Sequence, residues 1–293
     1  MKLLPKISVV TPSFNQGRFL EATLTSVLSQ GYPDLELLVM DGGSTDGSVE
    51  IVKRYEARLA YWRSCPDGGH YDAINEGFGR ATGDIIAWLN SDDLYFPWTL
   101  RSVATIFAEL PEVQWLTSLR PGFVDHEGFV FDVHRIQGFS KSAFDEGRYL
   151  EEGGSPFFGF IQQESTFWRR SLWERAGGRI DTAYGLAGDF DLWARFYQLT
   201  ELVGTPVPLA GFRMQRAQRS RDKDRYLAEA RTSLERSRET GAWADAKAAL
   251  LPEADTGPRA ARYEGARVVR ADVDSPESRW RLERYRFPEG VWL

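Results

Sequence analysis

Residues 7–43 read ISVVTPSFNQGRFLEATLTSVLSQGYPDLELLVMDGG, and the two periods within that stretch decide the fold. Ile7 to Thr11 is a short β-branched run bounded by Pro12, the pattern of a buried parallel strand. Between Gly17 and Gln30, the residues Leu20, Leu24, Val27 and Leu28 fall at i, i+4, i+7 and i+8, one apolar helical face that Gly31 and Pro33 bring to an end. Leu35 to Met40 (LELLVM) is a second apolar run that delivers Asp41 to its carboxyl end. One β-α-β unit results, and the pattern repeats with a helix over 48–58, a strand over 60–64, a helix over 71–81 and a strand over 85–89. Such alternation implies a mostly parallel sheet covered on both faces, with ligands bound beyond the carboxyl ends of its strands. Those ends carry Thr11-Pro12-Ser13, Asp41-Gly42-Gly43, Pro66-Asp67-Gly68 and Asn90-Ser91-Asp92-Asp93, so three of the four hold carboxylates.

Downstream the pattern changes. Pro97 precedes a helical stripe of Leu100, Val103 and Phe107, followed by a strand over 113–117 and a hairpin over 123–133 turning at His126-Glu127-Gly128. Residues 137–160 are rich in Gly, Ser and aromatics without a period, so a mobile region is expected there. Gln163 to Trp168 reads as a strand, Leu192, Phe196 and Leu199 mark a helix opened by Asp189 or Asp191, and 216–239 is a solvated amphipathic helix. From about residue 251 the chain reads as an extended arm or small cap.

The 293 residues, 42% hydrophobic and 13% aromatic, suffice for one main domain with appendages. A formal net charge of -6 argues against a broad nucleic-acid-binding surface, which needs clustered Lys and Arg. The lone cysteine, Cys65, excludes an intramolecular disulfide, and with only three scattered histidines it disfavours a Cys/His zinc site; a reducing compartment is expected. No run of about 18 apolar residues is long enough to span a bilayer, and Met1 to Lys6 enter the first strand without a secretory apolar segment.

Carboxylates gathered at one mouth repel each other, so their convergence favours a bound cation or proton transfer. Asp92 and Asp93 follow a nearly all-apolar strand and suit oxygen ligation of Mg²⁺ or Mn²⁺ shared with substrate phosphates, although Ser91 or Asp92 can equally cap a turn. The loop Asp41 to Ser48 (DGGSTDGS) lacks the Lys of a Walker loop and the alternating oxygens of an EF-hand. Its glycines let a planar ligand approach the backbone beside Asp41, while Asp46 suits the cap of the next helix. His70 could reach phosphate or acceptor, or stay in solvent. Trp88 and Trp193 either stack on a sugar or fill the core, and Phe157, Phe158 and Phe160 line an acceptor site, graze a membrane or lie buried.

Taken in order, Val9 to Asn15 (VVTPSFN), the Asp41 to Ser48 loop, Asp67-Gly68-Gly69 with Tyr71 to Asn75 (YDAIN), Ala87 to Asp93 (AWLNSDD), Gln163 to Phe167 (QESTF) and Gly188 to Trp193 (GDFDLW) resemble a family 2, GT-A-fold glycosyltransferase. The resemblance spans about Ile7 to Ser220. It implies an α/β fold with a mostly parallel nucleotide-binding sheet flanked by helices, an acceptor-side region and a C-terminal helical extension. On that reading, 1–120 form a nucleotide-sugar-binding half, 121–215 an acceptor-binding and catalytic-base half of the same domain, 216–250 a helical segment and 251–293 the arm. The resemblance further implies that Thr11, Pro12, Ser13, Asn15, Asp41, Asp67 and Asp92 meet the nucleotide and that Asp93 is the direct ligand of Mn²⁺ or Mg²⁺. It makes Asp189 the catalytic base of an inverting reaction, with its helix-capping reading and Asp191 as alternatives. Asp72, Asn75, Gln163, Glu164 and Trp193 are candidate acceptor or donor-sugar contacts.

The implied partners are a nucleotide-diphosphate sugar, with UDP ahead of a deoxythymidine carrier, and a glycan or lipid-linked acceptor, with no nucleic acid. The implied location is cytoplasmic, with peripheral contact at the inner membrane face left open. Three positions depart from the family pattern: Glu76 stands where many relatives have Lys, Gln215 where many have His, and Gly188 where a Glu commonly precedes the catalytic Asp. They keep two alternatives in play, a nucleotide-sugar-binding protein without turnover and a sugar-nucleotidyltransferase.

Overall fold

Val9, Leu37, Val39 and Ala87 pack to one side of a central sheet, and Val10, Leu38, Met40 and Trp88 to the other, so each strand is buried on both faces as period-two alternation requires. The computed structural model describes residues 3–151, 157–216, 218–240, 262–272, 274, 275 and 277–288. Its first part is β1 (Ile7–Ser13), α1 (Gly17–Leu28), β2 (Leu35–Asp41), α2 (Ser48–Tyr55), β3 (Tyr61–Ser64), α3 (His70–Arg80) and β4 (Ile85–Trp88). Then follow β5 (Leu94–Tyr95), α4 (Thr99–Glu109), β6 (Trp115–Ser118), β7 (Gly122–Val124), β8 (Val130–Val133) and α5 (Lys141–Asp145). The remainder is β9 (Phe167–Arg169), α6 (Arg170–Arg175), α7 (Gly188–Tyr197), β10 (Val203–Thr205), β11 (Ala210–Arg213), α8 (Lys223–Thr240), β12 (Tyr263–Arg270) and β13 (Trp280–Phe287).

Among the described residues the main sheet has nine strands in the order β13-β12-β10-β6-β9-β4-β1-β2-β3, and a second sheet has the order β5-β11-β7-β8. Most pairings in the main sheet are parallel, but β9 lies antiparallel between β4 and β6 and joins the two halves. α1, α2 and α4 cover one face, and α3 and α5 to α8 the other. On the second face Trp88, Trp115, Trp168 and Trp193 meet ring to ring at 5.2–6.1 Å, a cluster that contributes several kcal/mol, roughly 1.5–3 per fully buried large apolar side chain. α3 sits against β1 because residue 77 is glycine: a Cβ there would lie 2.4 Å from Val10 Cγ1.

Several expectations need correction. Pro12 lies inside β1 rather than bounding it. Val10 O accepts from Leu89 N and Ser13 O from Gly42 N, so by alternation Pro12 turns toward the β4 side, where pairing has stopped at Val10↔Trp88 and no donor is needed. Gln163 to Ser165 form a 3₁₀ turn, and only Phe167–Arg169 are strand. The described parts of 137–160 are packed rather than a mobile loop, with Phe139, Phe144, Tyr149, Leu150 and Phe158 buried; aromatics anchoring irregular backbone leave no period to read. The amphipathic helix begins at Lys223, not 216. Residues 263–270 and 280–287 are two strands of the main sheet, not a free arm or separate cap.

Candidate functional site

The loops leaving β1, β2, β3 and β4 share one end of the sheet. Asn15, the one described non-glycine residue with positive φ (51°), ties the first two together: its N–H donates to Ser44 Oγ (2.8 Å) and its Oδ1 accepts from Thr45 N (2.9 Å). Asp41 is fully buried. Its Oδ2 accepts from Gly43 N, Ser44 N and Ser64 Oγ, and its Oδ1 from Ser44 Oγ, so the carboxylate builds the loop in which it sits. Asp46 accepts from Ser48 N and also from Gly17 N, tying the starts of α1 and α2. Gly42 admits Phe14 and Asp67, which lie 3.3 and 3.4 Å from where its Cβ would be. Asp67 accepts from Gly69 N and from Arg63, whose guanidinium also reaches the Asp41 and Cys65 carbonyls and Glu76. A cation from β3 thus stands beside Glu76, where the family pattern has Lys. Thr11 and Ser13 line the same end of β1, buried, with hydroxyls that have no partner among the described residues.

Asp92 and Asp93 follow β4, and α1 holds their loop through Thr23 Oγ1, which donates to the carbonyls of Ser91 (2.9 Å) or Asp93 (2.8 Å). Arg213, at the end of β11 and 1% exposed, binds the loop from the other side. Its N–H donates to Asp93 Oδ1 (2.9 Å), its Nε to the Asp92 carbonyl (2.6 Å) and its Nη1 to the Asp125 and His126 carbonyls of the β7–β8 turn, while the guanidinium stacks on Phe19. Gln215 Nε2 donates to Asp92 Oδ2 (2.7 Å). Desolvation raises the Asp92 carboxyl, and desolvation with repulsion from Asp92 and Glu164 raises Asp93 well above the usual range. Glu164, buried with an unpartnered Oε1, is pushed up to about 8 by desolvation and by Asp189 and Asp92. Glu164 thus couples electrostatically to Asp92, Asp93 and Asp189.

Asp189 stands in the first turn of α7. The residue before that helix is Ala187, which makes no side-chain cap, so neither Asp189 nor Asp191 opens it as a cap. Asp189 keeps partial solvent access, and desolvation lifts its carboxyl to about 7. Asp191 is committed elsewhere, to Arg195 (3.0 Å) and Ser233 (3.1 Å), which removes it as the competing base. Gly188 has Tyr71 and Ile180 each 2.7 Å from where its Cβ would be, so the volume of a Glu side chain is already filled.

Other expected contact residues are not free groups. Trp193 is 1% exposed and stacked between Trp88 and Trp115, so it is core rather than a sugar platform, and Trp88 is core with it. Asn75 spends both ends of its amide on Ile180 backbone, and Gln163 spends its own on the Trp88 carbonyl and Asn90. Asp72 is exposed on α3 beside Gly68. Phe158 is buried against Tyr149, Tyr263 and Phe287, and Phe160 packs on Tyr226. His70 is partly buried, and desolvation with Arg219 lowers its ring to about 3, which keeps it neutral. The sequence assigns no role to Arg63, Arg213 or Tyr71, although Tyr71 opens the YDAIN motif and Arg213 stands two residues before Gln215.

Among the described residues no three His, Cys, Asp or Glu side chains form a ready metal cluster. The oxygen set nevertheless fits a hard divalent cation: two adjacent carboxylates destabilised by burial and repulsion, with Asn90 Oδ1 and Glu164 Oε1 unpartnered nearby. Two protein carboxylates leave the remaining coordination to phosphate and water, the usual arrangement for Mg²⁺.

The sequence model described as Glycosyl transferase family 2 matches residues 8–169. An uncharacterized glycosyltransferase of Mycobacterium tuberculosis is 34% identical over 217 residues, 71% of this chain and 74% of the relative. In overall fold the chain is similar to Staphylococcus aureus TarS 1-349 in complex with UDP-GlcNAc (TM-score 0.62, 16% identity, 81% of this chain and 67% of that one). It is likewise similar to the mannosyltransferase PcManGT of Pyrobaculum calidifontis in complex with GDP-Man and Mn2+ (TM-score 0.53, 19% identity, 84% and 79%). A largely parallel central sheet flanked by helices, acids at its carboxyl mouth and this match over more than half the chain make the protein a GT-A-fold member of glycosyl transferase family 2.

Proposed function

We propose that the protein transfers a sugar, with inversion, from a nucleotide-diphosphate donor to a hydroxyl of a glycan or lipid-linked acceptor. The observation that supports this reading is the electrostatic coupling of Glu164 to Asp92, Asp93 and Asp189, acids drawn from three separate stretches of chain. Thr11, Ser13, Asp67 and the Asp41 loop frame the nucleotide, and their unpartnered hydroxyls are available to it. Asp93, with Asp92, holds Mn²⁺ or Mg²⁺, which when bound compensates the negative charge of the departing diphosphate. Asp189 accepts the acceptor hydroxyl proton, a role worth about 10²–10⁴-fold in rate. A carboxyl lifted to about 7 is well matched to it.

Uridine diphosphate sugars are the first donors to test, then deoxythymidine and guanosine ones. The donor and the lone Cys65 suit the cytoplasm, with a lipid-linked acceptor met at the inner membrane face; among the described residues no helix is long and apolar enough to cross a membrane. The purified protein is assayed for nucleotide diphosphate release with a panel of these donors and Mg²⁺ or Mn²⁺. Turnover in wild type and loss of at least about 100-fold in Asp189→Asn is the expected result. Full turnover by Asp189→Asn removes the base, and donor binding without turnover across the panel selects the binding-protein alternative that Gln215 and Gly188 motivate.

A further inference from the structure

The backbone that presents Asp189 is held by side chains from two other helices. Helix entries leave orphan N–H groups, and Ala187 has no side chain with which to satisfy them. A single atom, Oε2 of Glu229 in α8, accepts both Leu186 N–H (2.6 Å) and Ala187 N–H (3.0 Å). The Tyr71 hydroxyl of α3 accepts the next one, Gly188 N–H (3.0 Å), and donates to the Leu186 carbonyl (2.7 Å). Three consecutive donors immediately before Asp189 are therefore taken by two side chains. Glu229 is itself fixed, its Oε1 accepting from Arg225 Nε (2.9 Å), and Arg219 donates to the Gly185 carbonyl (2.5 Å). The backbone is packed close at Gly188, where a Cβ would lie 2.7 Å from the Tyr71 ring.

We infer that Glu229, with Tyr71, is a positioning residue for Asp189, and that α8, beyond the 8–169 family match, is a working part of the active site. The inference rests on the reading of Asp189 as the base. Charge-assisted bonds from a carboxylate to helix-entry N–H groups are among the stronger hydrogen bonds, and a reacting group displaced by 1 Å can lose about 10²-fold in rate. A Glu229 that served stability alone would leave turnover per folded molecule unchanged.

Because both N–H groups share one oxygen, the amide oxygen of Gln can replace it while the exposed Arg225 guanidinium turns to solvent from the new amide nitrogen, whereas Ala cannot. The test uses full-length Glu229→Ala, Glu229→Gln and Tyr71→Phe, with two readouts: hydrogen exchange of the 186–188 amides, and kcat against donor KM for the nucleotide sugar that wild type turns over. Glu229→Ala is expected to speed exchange at least about tenfold and to lower kcat about 10- to 100-fold with donor KM within about twofold. Glu229→Gln is expected to keep protection and to hold kcat within about threefold. Tyr71→Phe, which deletes one oxygen from a ring that stays packed, lowers kcat in the same direction and decides the matter should Glu229→Ala fail to fold. Wild-type kcat in Glu229→Ala, a Glu229→Gln loss as deep as that of Ala, or, where Glu229→Ala does not fold, wild-type kcat in Tyr71→Phe overturns the inference. Full turnover by Asp189→Asn instead removes the base reading beneath it, so the two failures are told apart.

Discussion

Asp189 carries opposite demands from catalysis and from folding. With its carboxyl lifted to about 7, the base form fills only as pH rises through that value. Turnover is therefore expected to climb about tenfold per pH unit below 7 and to level above it, read as kcat from pH 5 to 9. Stability runs the other way. The folded carboxyl titrates above its unfolded value of about 4, so between about pH 4 and 7 the native state holds the extra proton and stability falls as pH rises. Asp189→Asn should melt higher than wild type at pH 8, with the gap closing toward pH 4; equal melting at pH 8 would contradict the burial cost. At the neighbouring position, Gly188→Glu, restoring the common family residue, drives a side chain into Tyr71 and Ile180 and is expected to lower stability by about 1–3 kcal/mol in chemical denaturation. The acids themselves were legible in the sequence, because an apolar run ending in Asp is unusual. The residues that orient them were not: Glu229 sits in a segment whose charges read as a solvated face, and the sequence assigns Arg213 no role.

Elements with a strong period were readable to within a few residues, since β1, β2, β4 and α1 to α4 each bury one or both faces and the pattern follows directly. The described residues of 137–165 were not. Their order comes from contacts distant in sequence, such as Phe158 on Tyr263 and Phe287 or Gln163 on the Trp88 carbonyl, and those leave no local trace. Glycine carries similar hidden information at the α3–β1 contact. Gly77→Ala places a methyl 2.4 Å from Val10 Cγ1, so α3 must lift from the sheet. Despite the better helix propensity of Ala, the urea midpoint is expected to fall, by about 1–3 kcal/mol in stability. Because the same helix supplies Tyr71, turnover falls with it.

At the scale of the whole molecule the sheet has two parallel halves joined by the antiparallel β9, and the second half ends in a hairpin drawn from the far end of the chain. That hairpin was hidden in the sequence because edge strands such as WRLERYRF mix exposed charge with a few buried anchors. Tyr263, Ala266, Val268, Trp280 and Phe287 are nonetheless buried, at roughly 1.5–3 kcal/mol for each large apolar side chain. Ending the chain at residue 240 uncovers β10 and Phe158 and is expected to give aggregated protein or a melting point lower by about 10 °C or more in calorimetry. The position of these two strands also sets a timetable during synthesis. The four strands β1 to β4 are complete once Trp88 has emerged from the ribosome, while β12 and β13, the outer neighbours of β10, are complete only at Phe287, about 200 residues or about 10–40 s later. From the completion of β10 at Thr205 until β12 emerges, the nascent chain thus carries a bare strand edge alongside four strands finished long before, the interval in which a chaperone has the most to protect.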